Sequence, residues 1–171
     1  MNEPLEIERK FLLAAVPDAA DLARAGARSS SIEQTYLAAD DPDAVERVRR
    51  RADGAHTRYV WTEKRFRSAG VNVEHERELG ADEYEALLAR ADPACATVSK
   101  TRHVFEHAGR TLELDVFHGA LEGLVVCEVE LDSLAAEIEL PAWLGPVRDV
   151  TDDRRFGNAS LAQAGAPPAA D

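Results

Sequence analysis

Charged residues recur two apart along this sequence, mostly in sets of one sign. Glu6 and Glu8 precede Lys10, and Arg47, Arg49 and Arg51 follow one another. Thr62 precedes Lys64, and Glu74, Glu76 and Glu78 form an acidic set. Lys100 with Arg102, Glu113 with Asp115, and Glu128 with Glu130 repeat the spacing. Side chains two apart on a strand share a face, so each set would project from one side of its strand. The opposite faces are assigned Ile7, Val45 and Val48, Val60, Val71 and Val73, Val98 and Val104, Leu112, Leu114 and Val116, Val125 and Val129.

Half-buried antiparallel strands normally turn charges to water and valines to a core. Two features oppose that arrangement. The signs are sorted by strand, whereas ordinary surfaces intersperse them. The run Glu6-Ile7-Glu8-Arg9-Lys10 also sets its charges directly beside the apolar Phe11-Leu12-Leu13. In a closed barrel the charged faces can point inward, with valines and leucines packing outward against helices. A charged cavity is costly unless complementary charge fills it. Converging Lys and Arg demand a polyanion: guanidinium groups take phosphate oxygens in pairs, and lysine acts as a point charge. Converging Glu and Asp demand hard cations. An oxygen-only donor set without convergent His or Cys favours Mg²⁺ or Mn²⁺ over zinc. A polyphosphate with such a cation satisfies both demands.

The elements that must position these residues follow from period and turn chemistry. Strands are expected at Leu5 to Leu13, Ser31 to Ala38, Val71 to Leu79 and Gly123 to Leu131. Hairpins are expected at Val45–Arg51/Thr57–Phe66 around Asp53-Gly54 and at Ala96–His107/Arg110–Phe117 around Ala108-Gly109. Helices are expected at Asp18 to Ala27, at Asp82 to Arg90 with Asp82 as N-cap, and at Arg155 to Ala164, with Asp152 and Asp153 as a cap for the last. Leu134 to Ile138 and Pro141 to Leu144 read as helical turns, and 40–44 and Arg67 to Gly70 as turns. The class is α+β, mainly β: an eight-stranded closed antiparallel β-barrel with a few short helices. Residues 1–165 form a single domain, and 166–171 read as a disordered tail.

The 171 residues carry a net charge of −12, which argues against nucleic-acid or membrane-surface partners but leaves room for a local basic pocket. No apolar run is long enough to span a membrane, and no signal peptide is visible. Cys95 and Cys127 fit no metal or redox spacing, Cys127 reading as a small core residue, so the expected compartment is the cytoplasm. His56, His75, His103, His107 and His118 show no ligand spacing, and Trp61 and Trp143 read as packing residues.

In order along the chain, ExExK at Glu6–Lys10, Gln34-Thr35-Tyr36-Leu37, Arg47-Val48-Arg49, Thr62-Glu63-Lys64, Glu76-Arg77-Glu78, Lys100-Thr101-Arg102, Glu113 to Phe117, Glu128-Val129-Glu130, and Val150-Thr151-Asp152 through Arg155-Phe156-Gly157-Asn158 resemble the motifs of the CYTH, or triphosphate tunnel metalloenzyme, superfamily in its short bacterial form. ExExK alone is a weak signal; the ordered series is a strong one. The resemblance implies an eight-stranded tunnel barrel and metal-dependent hydrolysis of inorganic triphosphate to pyrophosphate and phosphate. It implies triphosphate contacts from Lys10, Arg47, Arg49, Lys64, Lys100, Arg102 and Arg155. Metal would be held by Glu6, Glu8, Glu128 and Glu130, with Asp115, Glu76 and Glu78 nearby. Tyr36, Lys10, Glu6 and Glu8 would serve the chemistry, Tyr36 matching a tyrosine tied to acid/base work. Phe156 stands where many members carry tyrosine, and Arg154 where some carry lysine. The same tunnel also suits a class IV-like adenylate cyclase, a nucleoside or thiamine triphosphatase, or a non-catalytic polyphosphate-binding module. The intact acidic set favours an enzyme, and the sorted charges argue against a carrier of apolar ligands. Mg²⁺ or Mn²⁺ is the expected cofactor, a small triphosphate the expected partner, and a homodimer is compatible with the sequence.

Overall fold

The computed structural model describes residues 5–38, 41, 43–133 and 135–169. Nine strands and three short α-helices appear among them: β1 (Leu5–Leu13), α1 (Ala19–Arg24), β2 (Arg28–Tyr36), β3 (Val45–Asp53), β4 (His56–Ser68), β5 (Val71–Leu79), α2 (Ala81–Leu88), β6 (Val98–His107), β7 (Arg110–Phe117), β8 (Val125–Glu130), β9 (Val147–Asp149) and α3 (Asn158–Ala164). Eight strands pair antiparallel in the order β5-β4-β3-β2-β6-β7-β8-β1, and β1 pairs back onto β5, closing an eight-stranded barrel as the sequence leads one to expect. The short β9 adds to β1 from outside that ring.

Closure is unequal around the barrel. β8 takes Glu8 to Leu12 along one edge of β1. On the other edge β5 takes only Leu5 to Ile7, and β9 takes Phe11 to Leu13. Between them the wall is held by Glu8 N–H donating to Gly70 O (2.9 Å) and Val150 N–H to Lys10 O (2.8 Å), with Lys10 N–H on Thr151 Oγ1 (3.0 Å). A seam therefore runs between the tip of the β4–β5 hairpin and the segment that follows β9.

The hydrophobic core lies largely outside the ring. Leu112 and Leu114 of β7, with Val125, Cys127 and Val129 of β8, pack beneath Leu22 of α1 and Leu144. Val48 packs under Tyr84 of α2. Burial of apolar area supplies the main drive to fold, so these outward faces let the inward faces remain polar. The exception is α3, whose Leu161 and Ala162 pack on Tyr36, Val98 and Val126 and cover one end of the barrel. Cys127 is the buried core residue expected, and Trp143 stacks near Phe105 (5.2 Å between ring centroids).

The β6–β7 hairpin turns through Ala108 (φ 48°) and Gly109 (φ 74°). Successive left-handed residues match a two-residue primed turn, which follows the strands' own twist.

Several expectations need correction. Val45, Val60, Val98 and Val104 share the parity of their strands' charges, Val60 opposite Arg49 and Glu78 and Val104 opposite Glu113; Val45 borders the interior cavity and Val98 is buried at the α3 end. The N-cap of α2 is Gly80, not Asp82, which falls in the first turn, where its charge still favours the helix N-terminus. The terminal helix is broken: Arg154–Phe156 forms a 3-10 turn with Asp153 accepting from Arg155 N–H, and α3 starts after Gly157. The helical turn expected at Pro141 to Leu144 is present as a 3-10 turn over Ala142–Leu144. The helical turn expected from Leu134 falls partly outside the described residues, and Ala135 to Ile138 is not helical. Asp40 and Pro42 of the 40–44 turn, and Ala170 and Asp171 of the tail, also lie outside them. β9 went unforeseen because three residues are too few to show a period.

Leu112 is fully buried outside the ring. Leu112→Ala should lower the unfolding free energy by about 2–5 kcal/mol in urea titration. A loss below about 1 kcal/mol would contradict an external core.

Candidate active site

The inward faces enclose a cavity of about 500 Å³. Each strand of the ring except β2 contributes the charged set seen in the sequence: Glu6, Glu8 and Lys10 from β1; Arg47, Arg49 and Arg51 from β3; Lys64 from β4; Glu74 and Glu76 from β5; Lys100 and Arg102 from β6; Glu113 from β7; Glu128 and Glu130 from β8. β2 contributes Gln34 and Tyr36. The strands thus bring seven carboxylates and seven bases to one space. Their formal charges cancel, so the net −12 belongs to the rest of the chain.

The groups are held by pairing across strands. Lys10 Nζ lies 2.9 Å from Glu128 and 3.7 Å from Glu8. Lys64 bridges Glu6, Glu74 (3.3 Å) and Glu8 (3.8 Å). Arg49 donates to Glu76 (2.9 Å), which also accepts from Thr62 Oγ1 (3.0 Å). Arg47 faces Glu74 (3.7 Å), and Arg51 donates to Ser30 Oγ (2.9 Å). Arg102 grips Asp115 through two bonds of 2.7 Å each, reaches Glu128 at 3.1 Å and also pairs with Glu113. Lys100 donates to Asp115 (2.6 Å) and to Asn158 Oδ1 of α3 (3.2 Å).

Protonation follows from this pairing. Burial raises Glu6 and Glu8, with neighbouring carboxylates adding to it and lysines opposing it. Burial also raises Glu113 and Glu130. Burial acts the same way on Glu128 and Asp115, but their lysine and arginine partners outweigh it and hold both below the usual carboxylate range. Burial opposes charge on Lys10 too, yet Glu128 and Glu8 overcome it and raise the ammonium. Lys100, desolvated and beside Arg102, is lowered to about 8 despite Asp115. Tyr36 is buried, accepts from Gln34 Nε2 at 2.7 Å, and is raised by burial against the pull of Arg47.

The structure thus gathers Glu6, Glu8, Lys10, Tyr36, Arg47, Arg49, Lys64, Glu76, Lys100, Arg102, Glu128 and Glu130 around one cavity. Three residues named from the sequence do not line it. Asp115 sits behind Lys100 and Arg102 with its side chain 1% exposed. Glu78 lies exposed at the β5 end near Arg58 (3.9 Å). Arg155 turns to Asp153 (2.8 Å), and its neighbour Arg154 reaches the cavity instead. The site set read from the sequence omitted Arg51, Glu74 and Glu113, although each has the strand parity of a chosen set. Gln34 and Asn158 gave no comparable signal.

The donor set is all oxygen, which suits a hard divalent cation. Four of the carboxylates are raised, so added positive charge among them would be favourable. Among the described residues no three His, Cys, Asp or Glu side chains are already gathered for a metal. Glu6, Glu8 and Glu128 turn to lysine and arginine instead, and would have to exchange those partners for a cation.

The CYTH domain model matches residues 4–156. The chain belongs to the CYTH domain family. An inorganic triphosphatase of Acetivibrio thermocellus is 32% identical over 159 residues, covering 91% of this chain and 92% of that protein. One from Nitrosomonas europaea is 35% identical over 161 residues, covering 92% and 96%. A crystal structure of an inorganic triphosphatase aligns with a TM-score of 0.62 at 32% identity, covering 92% of this chain and 94% of that one. No described helix of this CYTH protein is long and apolar enough to cross a membrane.

Asp115 carries two buried cations of the CYTH barrel. Asp115→Asn should reduce the unfolding free energy by about 3 kcal/mol, because Lys100 and Arg102 lose their counter-charge. Denaturant titration at neutral pH checks this, and an unchanged midpoint would refute the assignment.

Proposed function

We propose that the cavity binds linear inorganic triphosphate with Mg²⁺ or Mn²⁺ and hydrolyses it to pyrophosphate and phosphate. One observation carries the reading: seven bases and seven carboxylates, sorted by strand on every ring strand that bears them except β1, surround a single cavity in a chain similar to inorganic triphosphatases.

Phosphoryl transfer requires positioning and charge neutralisation more than covalent chemistry. Lys10, Arg47, Arg49, Lys64, Lys100 and Arg102 bind the phosphate oxygens. Lys10 is held charged by Glu128 and Glu8, so it acts as a fixed cation. As phosphate oxygens take these bases, their carboxylate partners are released. Glu6, Glu8, Glu128 and Glu130 would hold the cation, which when bound supplies further neutralisation of the phosphates. A carboxylate facing the terminal phosphate orients water and accepts its proton as the water oxygen attacks phosphorus. The bond from that phosphorus to the bridging oxygen breaks, and pyrophosphate leaves with the electron pair. Tyr36 stays neutral in its buried position and donates a hydrogen bond to the departing oxygen. The protein works in the cytoplasm on this reading; Asp115 supports the site by holding Lys100 and Arg102, and Arg155 and Glu78 lie outside it.

Purified protein with Mg²⁺ or Mn²⁺ should release phosphate and pyrophosphate from tripolyphosphate, and a chelator should stop it. Glu6→Gln and Arg47→Ala should each reduce kcat/KM by about 100-fold, the scale for losing one preorganised charge partner in a dry site. No release with either metal would overturn the reading. A cyclic nucleotide from ATP as the main product would replace it with a cyclase.

A further inference from the structure

The seam between the β4–β5 tip and the segment after β9 is crossed by two side chains that the proposed chemistry does not use. Phe66 follows Thr62 and Lys64 on the inward face of β4 and is 53% exposed. The register of β4 against β5 shifts between Phe66 and Ser68. Such a bulge re-aims the end of a strand. Arg154, on the 3-10 turn beyond β9, places its guanidinium carbon 4.6 Å from the centre of the Phe66 ring. Nearby acids do not take it: Asp153 is bound to Arg155. The Arg154 carbonyl accepts from Gly157 N–H (3.1 Å), and among the described residues its guanidinium is seen with the ring of Phe66 rather than with a carboxylate. Both side chains line the cavity, and Arg154 also lines the outer groove that holds Arg9 and Arg148. The ring–guanidinium contact thus stands where the cavity meets the outside.

We propose that Phe66 and Arg154 form a latch across this seam that sets substrate selectivity, favouring bare linear triphosphate over one esterified with an organic group. The inference rests on the triphosphate reading of the cavity. A bare triphosphate lies wholly among the inward charges and leaves the latch closed. On this proposal, an esterified one carries its organic group out through the wall at the seam, where the ring and the guanidinium have to part. Separating a cation–π contact of this kind costs a factor of about three to thirty in equilibrium or rate. Phe66 is half-exposed and contributes to no buried cluster, so its removal should leave the fold intact.

The test is the ratio of kcat/KM for ATP to that for tripolyphosphate in wild type, Phe66→Ala, Arg154→Gln and the double variant, with thermal unfolding recorded for each. Where ATP is not turned over, its inhibition constant against tripolyphosphate gives the same comparison. Each single variant should shift the ratio toward ATP by about three- to thirtyfold, and the double variant should match the singles, because either change opens one shared contact. Phe66→Leu keeps apolar bulk without the π face; it should also shift the ratio, and it serves if the alanine variant does not fold. An unmoved ratio, or effects that multiply in the double variant, overturns the latch. So does a shift away from ATP in Phe66→Ala, which would make the ring a stacking platform instead. If wild type hydrolyses tripolyphosphate while the ratios stay fixed, the latch alone fails; if wild type acts on no triphosphate, the cavity reading fails and takes the latch with it.

Discussion

Charge pairing inside the ring governs the rest of the molecule. Fourteen strand-borne charged side chains share one space, and an isolated charge there would be driven to neutralise itself. Asp115 shows how the barrel resolves the conflict. Its carboxylate is spanned by Arg102 and Lys100 at 2.6–2.7 Å, with its side chain and that of Lys100 both 1% exposed. Two bases on β6 are thereby fixed by one acid on β7, its direct neighbour in the ladder. Arg102 then reaches Glu128 on β8, and Glu128 reaches Lys10 on β1. The pairs follow the strand order around the wall, so side-chain electrostatics and backbone register specify the same closure.

An interior of this kind forces the hydrophobic effect outward. The ring cannot be stabilised by its inside, so its outer wall needs cover, and α1, α2 and the segment through Leu144 provide it. This explains why helices so short persist: α1 has six residues and α2 eight, too few to be stable alone. They exist because the wall offers an apolar face. α3 differs in covering an end of the barrel, and Asn158 at its start accepts a hydrogen bond from Lys100, tying the cover to the charged network.

Much of this was legible in the sequence because strand period is short and strict. Alternation at Glu6/Glu8/Lys10, Arg47/Arg49 and Lys100/Arg102 placed these side chains on one face, and sorting of sign suggested an inward one. The limits of that reading are equally physical. Alternation tells which face a residue takes but not how far along the barrel axis it lies, so Glu78 was grouped with Glu76 although it emerges near Arg58. Asp115 has the parity of a cavity residue yet is masked by the longer side chains that bind it. Arg154 and Arg155 sit on a 3-10 turn, where neither the strand nor the helix period applies. The contact between Phe66 and Arg154 joins residues far apart in the chain, and no local pattern announces such a meeting.

The balanced cavity also constrains how a polyanion can enter. Every inward base except Arg51 has a carboxylate partner, and Arg51 bonds Ser30. A triphosphate therefore meets bases that are already engaged, and each phosphate contact releases a carboxylate into a desolvated space. Glu6, Glu8 and Glu113 are raised by burial, so they cannot stay charged and solitary at low cost. On the proposed function, positive charge arrives with the substrate, as protons or as a divalent cation, and an oxygen-only donor set favours the cation near neutral pH. On the proposed function, anion and cation binding are thus two halves of one exchange of partners. On that reading, the acids now paired with Lys10, Lys64 and Arg102 are freed as phosphate takes their place.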